Sequence, residues 1–273
     1  MWLRYLFSNR NAAPHVPMMT RVRVTKNLLR RLVKRRRWSE IEQELLHFLV
    51  PEGCVSIDVG ANSGSYTVPL ALLSKRVISV EPEKSHCDII KSKRLPNVTV
   101  VQKAMSSKKG LATLIVPKSS ANGKDLVGLA SLEPRVGLSA SREVSVETGC
   151  LNEFRDYDVG FVKIDVEGHE LEVLMGSKVL IEQRRPVFIV EVEDRHRQDA
   201  VISVFRFFAD FAYHGIFIHG DKIRDIEDFS SEFADATVLD LALPLKEIEY
   251  VNNFIFFQRL NKCSALNQRL RRT

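Results

Sequence analysis

From residue 39 to residue 258 the apolar positions follow two alternating rhythms. Short, largely apolar runs predict seven strands: Cys54 to Asp58, Arg76 to Glu81, Val98 to Gln102, Phe161 to Asp165, Val187 to Val192, Gly215 to His219 and Asn253 to Gln258. Between these runs, apolar residues recur at helical spacing. The clearest case is Val201, Val204, Phe205, Phe208, Phe211 and Ala212, which share one helix face. Ser39 is placed to cap a helix carrying Ile41, Leu45, Leu46 and Leu49, and Pro51 and Gly53 stop it. Pro69 falls near the start of the helix through Leu70, Leu72 and Leu73, which predicts a short or kinked element. A further helix carries His86, Ile89, Ile90 and Lys93 on one face, and another carries Leu171, Leu174, Met175 and Val179.

Strands alternating with helices predict an α/β fold, here a seven-stranded, mostly parallel sheet with helices on both faces. Ligands of such sheets bind beyond the carboxyl ends of the strands, where the strand order switches. That rule marks the residues just after Asp58, Glu81, Gln102, Asp165 and Val192. The stretch from Gln102 to Phe161 is too long for one helical crossover. It holds extended segments at 111–116 and 142–148 and a Gly/Ser-rich loop, Lys118 to Leu132. Such a stretch predicts an inserted lid between the third and fourth strands.

The 273 residues suit one large domain or two small ones, and 45% hydrophobic with 27% charged residues excludes bulk disorder. Cys54, Cys87, Cys150 and Cys263 form no C-x-x-C pair and no dense framework. This argues against a disulfide scaffold or zinc ribbon and fits reduced thiols in the cytoplasm. No apolar run reaches the ~18 residues of a spanning helix; the best, Val201 to Ile218, is broken by Arg206, Asp210 and His214. Met1 to Phe7 is too short for a secretory core.

The net charge of +6 is unevenly placed. Residues 1–40 hold 11 Lys/Arg against one acid, Glu40, and residues 259–273 hold five Lys/Arg and no acid, so residues 41–258 carry a net −9. The chain thus divides into a basic extension at 1–38, a domain at 39–258 and a basic tail at 259–273. In the densest run, Arg30, Arg31, Lys34, Arg35, Arg36 and Arg37 interleave with Leu28, Leu29, Leu32 and Val33, and Trp38 closes it. Residues 21–38 suit peripheral contact with an anionic membrane or another polyanion, or simply a solvated extension. The acidic body argues against nucleic acid running across the domain.

The residues after the first strand read Asp58-Val59-Gly60-Ala61-Asn62-Ser63-Gly64-Ser65-Tyr66-Thr67. Gly60 and Gly64 let the backbone turn tightly and approach a ligand, while Asp58 and Asn62 supply polar groups at the strand mouth. Asp58 would repel a pyrophosphate and attract an ammonium or sulfonium, which favours an aminoacyl-type cofactor over NAD. Glu81, at the end of the second strand, can accept hydrogen bonds from both hydroxyls of a ribose.

A second cluster, Lys163-Ile164-Asp165-Val166-Glu167-Gly168-His169-Glu170, follows the fourth strand. Lys163 is out of place in a strand buried on both faces. As a site, these groups would orient and deprotonate a hydroxyl, with His169 as a base near neutrality, or Asp165 or Glu167 if desolvated. The same acids would equally cap the following helix, with Glu170 in its first turn. Asp165 and Glu191 at adjacent strand ends are two carboxylates of the kind that hold Mg²⁺, but a third ligand is missing and no metal is assigned.

Asp58-Val-Gly-Ala-Asn-x-Gly-x-Tyr-Thr, then Val80-Glu81-Pro82, then Phe161-Val-Lys-Ile-Asp165-Val-Glu167-Gly168-His-Glu170-x-x-Val-Leu, then Arg185-Pro186 before a strand with Glu191, resembles the FkbM family of methyltransferases. The likeness spans roughly residues 53–194. The resemblance implies a class I methyltransferase (Rossmann-like) fold, S-adenosylmethionine as donor, and O-methylation of a sugar, glycan or natural-product hydroxyl. It implies that Asp58, Gly60 and Gly64 face the methionine part of the donor and Glu81 its ribose; Asn62, from its place in the same turn, is a further cofactor-binding candidate. Asp165, Glu167 and Glu170 belong to the family's string, which does not divide their labour, and His169 stands where the family often has a small residue; the reading of the residues themselves gives the acceptor to Asp165 with Glu167 or His169. The insert would cover that acceptor, with Ser131 and Arg135 as contacts. Two other readings stay open: a catalytically silent module docked through the basic extension, and an NAD-dependent oxidoreductase.

Overall fold

The computed structural model describes residues 40–119, 122–133, 140–220, 222–230, 233 and 250–258. The basic extension with Ser39, the basic tail with Cys263, and Arg135 lie outside the described residues. In chain order the described elements are α1 (Ile41–Glu44), α2 (Leu46–Leu49), β1 (Val55–Val59), α3 (Thr67–Leu73), β2 (Arg76–Val80), α4 (Lys84–Ser92), β3 (Val98–Val101), β4 (Ala104–Met105), β5 (Gly110–Pro117), β6 (Ser141–Gly149), β7 (Val159–Ile164), α5 (Glu170–Met175), α6 (Lys178–Arg184), β8 (Val187–Glu191), α7 (Ala200–Asp210), β9 (Tyr213–His219), β10 (Lys222–Asp225) and β11 (Asn253–Gln258).

The main sheet has eight strands in the order β10-β9-β11-β8-β7-β1-β2-β3. β3, β2, β1, β7 and β8 pair in parallel. β11 lies antiparallel between β8 and β9, and β10 folds back antiparallel on β9. All seven expected strands form, and β10 corrects the expected count of seven to eight. Its Lys-Ile-Arg-Asp sequence has one apolar residue, so it reads as a turn, and only an edge accommodates so polar a strand.

Two cores sandwich the sheet. One packs Val173, Leu174, Leu180, Ile181, Val204 and Phe208 of α5, α6 and α7 on one face. The other packs Leu45, Leu46, Leu49, Tyr66 and Leu70 on the opposite face. The side-chain period of two is visible along β7: Val162 and Ile164 enter the first core and Phe161 the second. Each fully buried Leu, Ile or Phe stabilises the fold by about 1.5–3 kcal/mol.

Three helix expectations need correction. The element over 41–49 is two four-residue helices meeting at Leu45. The element from Leu171 to Val179 breaks after Met175, because Gly176 lies against the Ser106 carbonyl and a Cβ there would sit 2.2 Å from that oxygen. In α4 the inward residues are Cys87 and Ile90, and Ile89 is 42% exposed. Pro69 does fall in the first turn of the seven-residue α3.

The insert between β3 and β7 forms a second sheet, β4-β6-β5. β5 and β6 pair antiparallel from Gly110↔Thr148 to Pro117↔Ser141. Ala104, Leu114, Val116 and Val146 give it a small core of its own, against which Val127, Ala130 and Leu132 pack.

Gly60 shows how tightly β1 and β7 meet at their carboxyl ends. Its φ is +73°, and a Cβ would fall 1.7 Å from the Asp165 carbonyl oxygen. Gly53 has a similar φ of +74° but open space around it. We expect Gly60→Ala to destabilise the fold by about 3 kcal/mol and Gly53→Ala by about 1 kcal/mol. Denaturant midpoints of the two variants check this; equal losses would contradict it.

Candidate active site

A cleft of about 260 Å³ opens at the carboxyl ends of the central strands. Asp58, Gly60, Asn62, Glu81, Asp165, Glu167 and His169 all line it, as does Ser131 from the insert. Gly64 does not. Its φ of +90° turns the chain, and its missing Cβ faces Ile90 and Lys93 at 3.2 and 3.3 Å, so it serves the packing of α4. Glu40, Tyr66, Lys103, Met105, Leu114 and Val127 complete much of the wall. Sequence pattern gives no sign of Glu40 or Leu114 there; Tyr66 stands in the family-like string without an assigned role.

Lys163 is the centre of the floor. It is 1% exposed. Period two places it on the same face of β7 as Phe161, and the register sets Asp58 and Ile189 on either side of it. Its Nζ donates to Asn253 Oδ1 at 2.9 Å, lies 3.6 Å from Glu191 Oε2, and sits over the Tyr66 ring at 4.8 Å. The Tyr66 hydroxyl donates to Glu40 Oε2 at 2.6 Å. Burial pulls the ammonium down, but Asp165, Glu191, Glu40 and Glu42 outweigh it and raise its pKa.

The carboxyls around it are raised as well, but by burial itself, which disfavours their charged form. Burial lifts Asp58 to about 6, against the Thr67 hydroxyl that donates to its Oδ2 at 2.6 Å. Burial lifts Asp165 to about 6, opposed by Lys163 and reinforced by Glu167. Burial and then the Asp165 charge lift Glu191 to about 8. A carboxyl poised near neutrality at a strand end is suited to take a proton.

Glu81 lies just past β2. Its Oε2 accepts the Asn62 N–H at 2.8 Å and its Oε1 the Glu83 N–H at 2.9 Å. Burial raises it to about 7. Each oxygen keeps a further lone pair for a hydroxyl. Asn62 adopts a φ of +48°, so its own N–H points to Glu81 and its side chain caps Ser63 N–H at 2.6 Å.

The turn after β7 divides labour among its acids. Glu170 Oε1 accepts the Gly168 N–H at 2.8 Å and secures the turn. Glu167 has a φ of +55°, a strained conformation for a side-chain-bearing residue, and its Oε2 lies 3.2 Å from His196 Nε2. Asp165 faces the cleft. His169, a candidate base, is contacted at both ring nitrogens: Nδ1 lies 2.6 Å from Glu133 Oε1 and Nε2 2.9 Å from Ser106 Oγ. Both ring nitrogens are thus engaged by side chains of the insert. Ser131 Oγ donates to the Glu167 carbonyl at 2.7 Å. These contacts fasten the insert to the turn.

A sheet in which antiparallel β11 separates two parallel strands, with an acid just beyond β2, is a class I methyltransferase fold. The chain belongs to the FkbM methyltransferases: residues 58–230, more than half of it, match the methyltransferase FkbM domain. Among solved structures it is similar to methyltransferase FkbM from Methylobacillus flagellatus KT, at 12% identity and a TM-score of 0.48, covering 85% of this chain and 58% of that one. It therefore spans less than two thirds of that protein's length. An rRNA methylase from Streptococcus thermophilus is similar at 10% identity and a TM-score of 0.46, covering 83% of this chain and 98% of that one. Magnesium protoporphyrin IX methyltransferase from Synechocystis PCC 6803, solved with bound S-adenosylmethionine, is similar at 13% identity and a TM-score of 0.41, covering 94% and 89%. No match was found among curated proteins.

The raised carboxyls fix the sign of a pH effect. Asp58, Asp165, Glu81 and Glu191 hold protons to higher pH in the folded chain than in the unfolded one, where carboxyls titrate near ~4. The folded state then binds more protons, so stability falls as pH rises from about 4.5 to about 8. We expect a lower thermal midpoint at pH 8 than at pH 5.5. Glu191→Gln should flatten the difference and Lys163→Met should steepen it; a pH-independent midpoint would contradict both.

Proposed function

We propose that this methyltransferase uses S-adenosylmethionine to methylate a hydroxyl of a sugar, glycan or other natural product, with Asp165 receiving the acceptor's proton. The observation that carries the reading is one cleft in which a ribose-suited acid, Glu81, meets a floor rich in carboxyls. The residues fit that donor. Glu81 would hold the ribose hydroxyls. Asp58 and its neighbours would face the positively charged sulfur and amino group, an attraction strengthened by the low dielectric of a buried floor. When bound, the donor supplies a methyl carbon activated by its positive sulfur.

The protein's own work is alignment and proton removal. Asp165 accepts the hydroxyl proton at the cleft face of the turn. Behind it, Lys163 lies 3.6 Å from Glu191, and Thr67 holds Asp58. Met105, Leu114, Val127 and Leu132 form an apolar wall that excludes water. His169 and Ser131 keep that wall closed on the turn through Glu133 and Glu167. An NAD-dependent reaction fits poorly, since Asp58 would face a pyrophosphate.

Calorimetric titration tests the donor site. S-adenosylhomocysteine should bind and NAD⁺ should not. Glu81→Gln should weaken the former by about ten- to a hundredfold, with thermal melting showing that the variant folds. A folded protein that binds neither ligand, or only NAD⁺, overturns the reading. Screening hydroxyl acceptors then tests the base. Asp165→Asn should lower turnover by about 10²- to 10⁴-fold, and unchanged turnover would remove Asp165 from that role.

A further inference from the structure

One stretch of the insert is fastened to both ends of the cleft. Val127, Gly128, Ala130, Ser131 and Leu132 line the cleft. On one side of them, Asp125 Oδ2 accepts the Arg142 Nε–H at 2.7 Å. On the other, Ser131 Oγ donates to the Glu167 carbonyl at 2.7 Å, and Glu133 Oε1 lies 2.6 Å from His169 Nδ1. The wall between these anchors is held at the donor end by Arg142 and at the acceptor end by the turn that carries Asp165.

Arg142 stands on β6 opposite Val116, which belongs to the core of the insert. Its guanidinium forks between two parts of the chain, with Nε on Asp125 and Nη2 on Glu83 Oε2 at 3.2 Å. A planar fork of donors is what such a bridge between two carboxylates requires. Glu83 is buried just before α4, and its N–H donates to Glu81 Oε1 at 2.9 Å. A continuous line of bonds therefore runs from Glu81 through Glu83 and Arg142 to Asp125. Glu83, Arg142 and Asp125 are not among the residues that line the cleft, so they act through Glu81 and the wall.

We propose that Arg142 is a positioning residue that carries donor occupancy from Glu81 to the wall at 127–132, so that the acceptor's side of the cleft is completed once the donor is bound. This rests on Glu81 holding the donor's ribose. Hydroxyls on Glu81 fix its carboxylate and the Glu83 N–H bonded to it, and Arg142 passes that constraint to Asp125. Coupling of this kind travels through contiguous bonded elements. It is also reciprocal: a strut that lets the donor settle the wall lets the wall strengthen donor binding. The donor then binds before the acceptor.

Hydrogen exchange and calorimetry on the full chain test this, with S-adenosylhomocysteine as the probe. We expect the ligand to slow amide exchange at residues 125–133 of the parent chain. Arg142→Gln should abolish that slowing and weaken binding about fivefold, the low end of typical couplings. Asp125→Asn should do the same, although Asp125 does not line the cleft. The double variant should bind as either single variant does, because both cut one path. Thermal melting checks that each variant folds; where Arg142→Gln does not, Asp125→Asn decides. Binding that leaves exchange at 125–133 unchanged in the parent, undiminished binding by the folded variants, or losses that add in the double variant overturn the strut and leave the donor reading standing. A folded parent chain that binds no S-adenosylhomocysteine overturns the donor reading, and the strut falls with it.

Discussion

One buried ammonium governs the cleft. Lys163 stands in the middle of the sheet, and removing such a charge from water costs several kcal/mol unless partners replace the lost hydration. Those partners come from separate elements. Asp58 is its neighbour on β1, Glu191 ends β8, Asn253 opens β11, and Tyr66 covers it from the start of α3. Asn253 reaches it because β11 runs antiparallel beside β8, with Asn253 opposite Glu191. The reversed strand thus supplies the hydrogen bond that a buried lysine needs. In return, the lysine allows several carboxyls to be buried close together, at the cost of pKa values lifted toward neutrality.

The insert acts on the same floor from the other side. Arg142 on β6 donates to Asp125 at 2.7 Å and to Glu83 at 3.2 Å. Glu83 in turn gives its N–H to Glu81, so the insert is linked to the ribose-suited acid. At the opposite rim, Ser131 and Glu133 hold the turn that carries Asp165. The short 3-10 turn Val127–Leu129 closes over the glycine turn, where a Cβ on Gly128 would sit 3.2 Å from the Asn62 amide nitrogen. The wall of the cleft is therefore tied to both halves of the site, and its shape is coupled to the positions of Glu81 and Asp165.

Much of the fold was legible because buried strands announce themselves as short apolar runs. β10 was not, since it contributes only Ile223 to an edge. The break between α5 and α6 was equally hidden, because it is imposed by Ser106, a residue far away in the chain. In the cleft, Asp58, Glu81 and Asp165 could be found because strand ends are where such sheets bind ligands, and Lys163 because a charge interrupts a buried run. The contacts of His169 could not. Its partners lie 36 and 63 residues away, and only the folded insert brings them together. Gly64 shows a constraint that the turn alone does not reveal: a Cβ there would press on Ile90 and Lys93. Glu40 reaches the cleft through a contact with Tyr66, 26 residues on, for which no periodicity exists.

The most direct test is a crystal structure of the full chain with S-adenosylhomocysteine bound. We expect the ribose hydroxyls on Glu81, the amino group on the Asp58 side of the floor, and the sulfur facing Asp165, with Lys163 still bonded to Asn253. The ligand bound elsewhere, or lying in the cleft with its ribose away from Glu81, would contradict the assignment of this floor as the donor site.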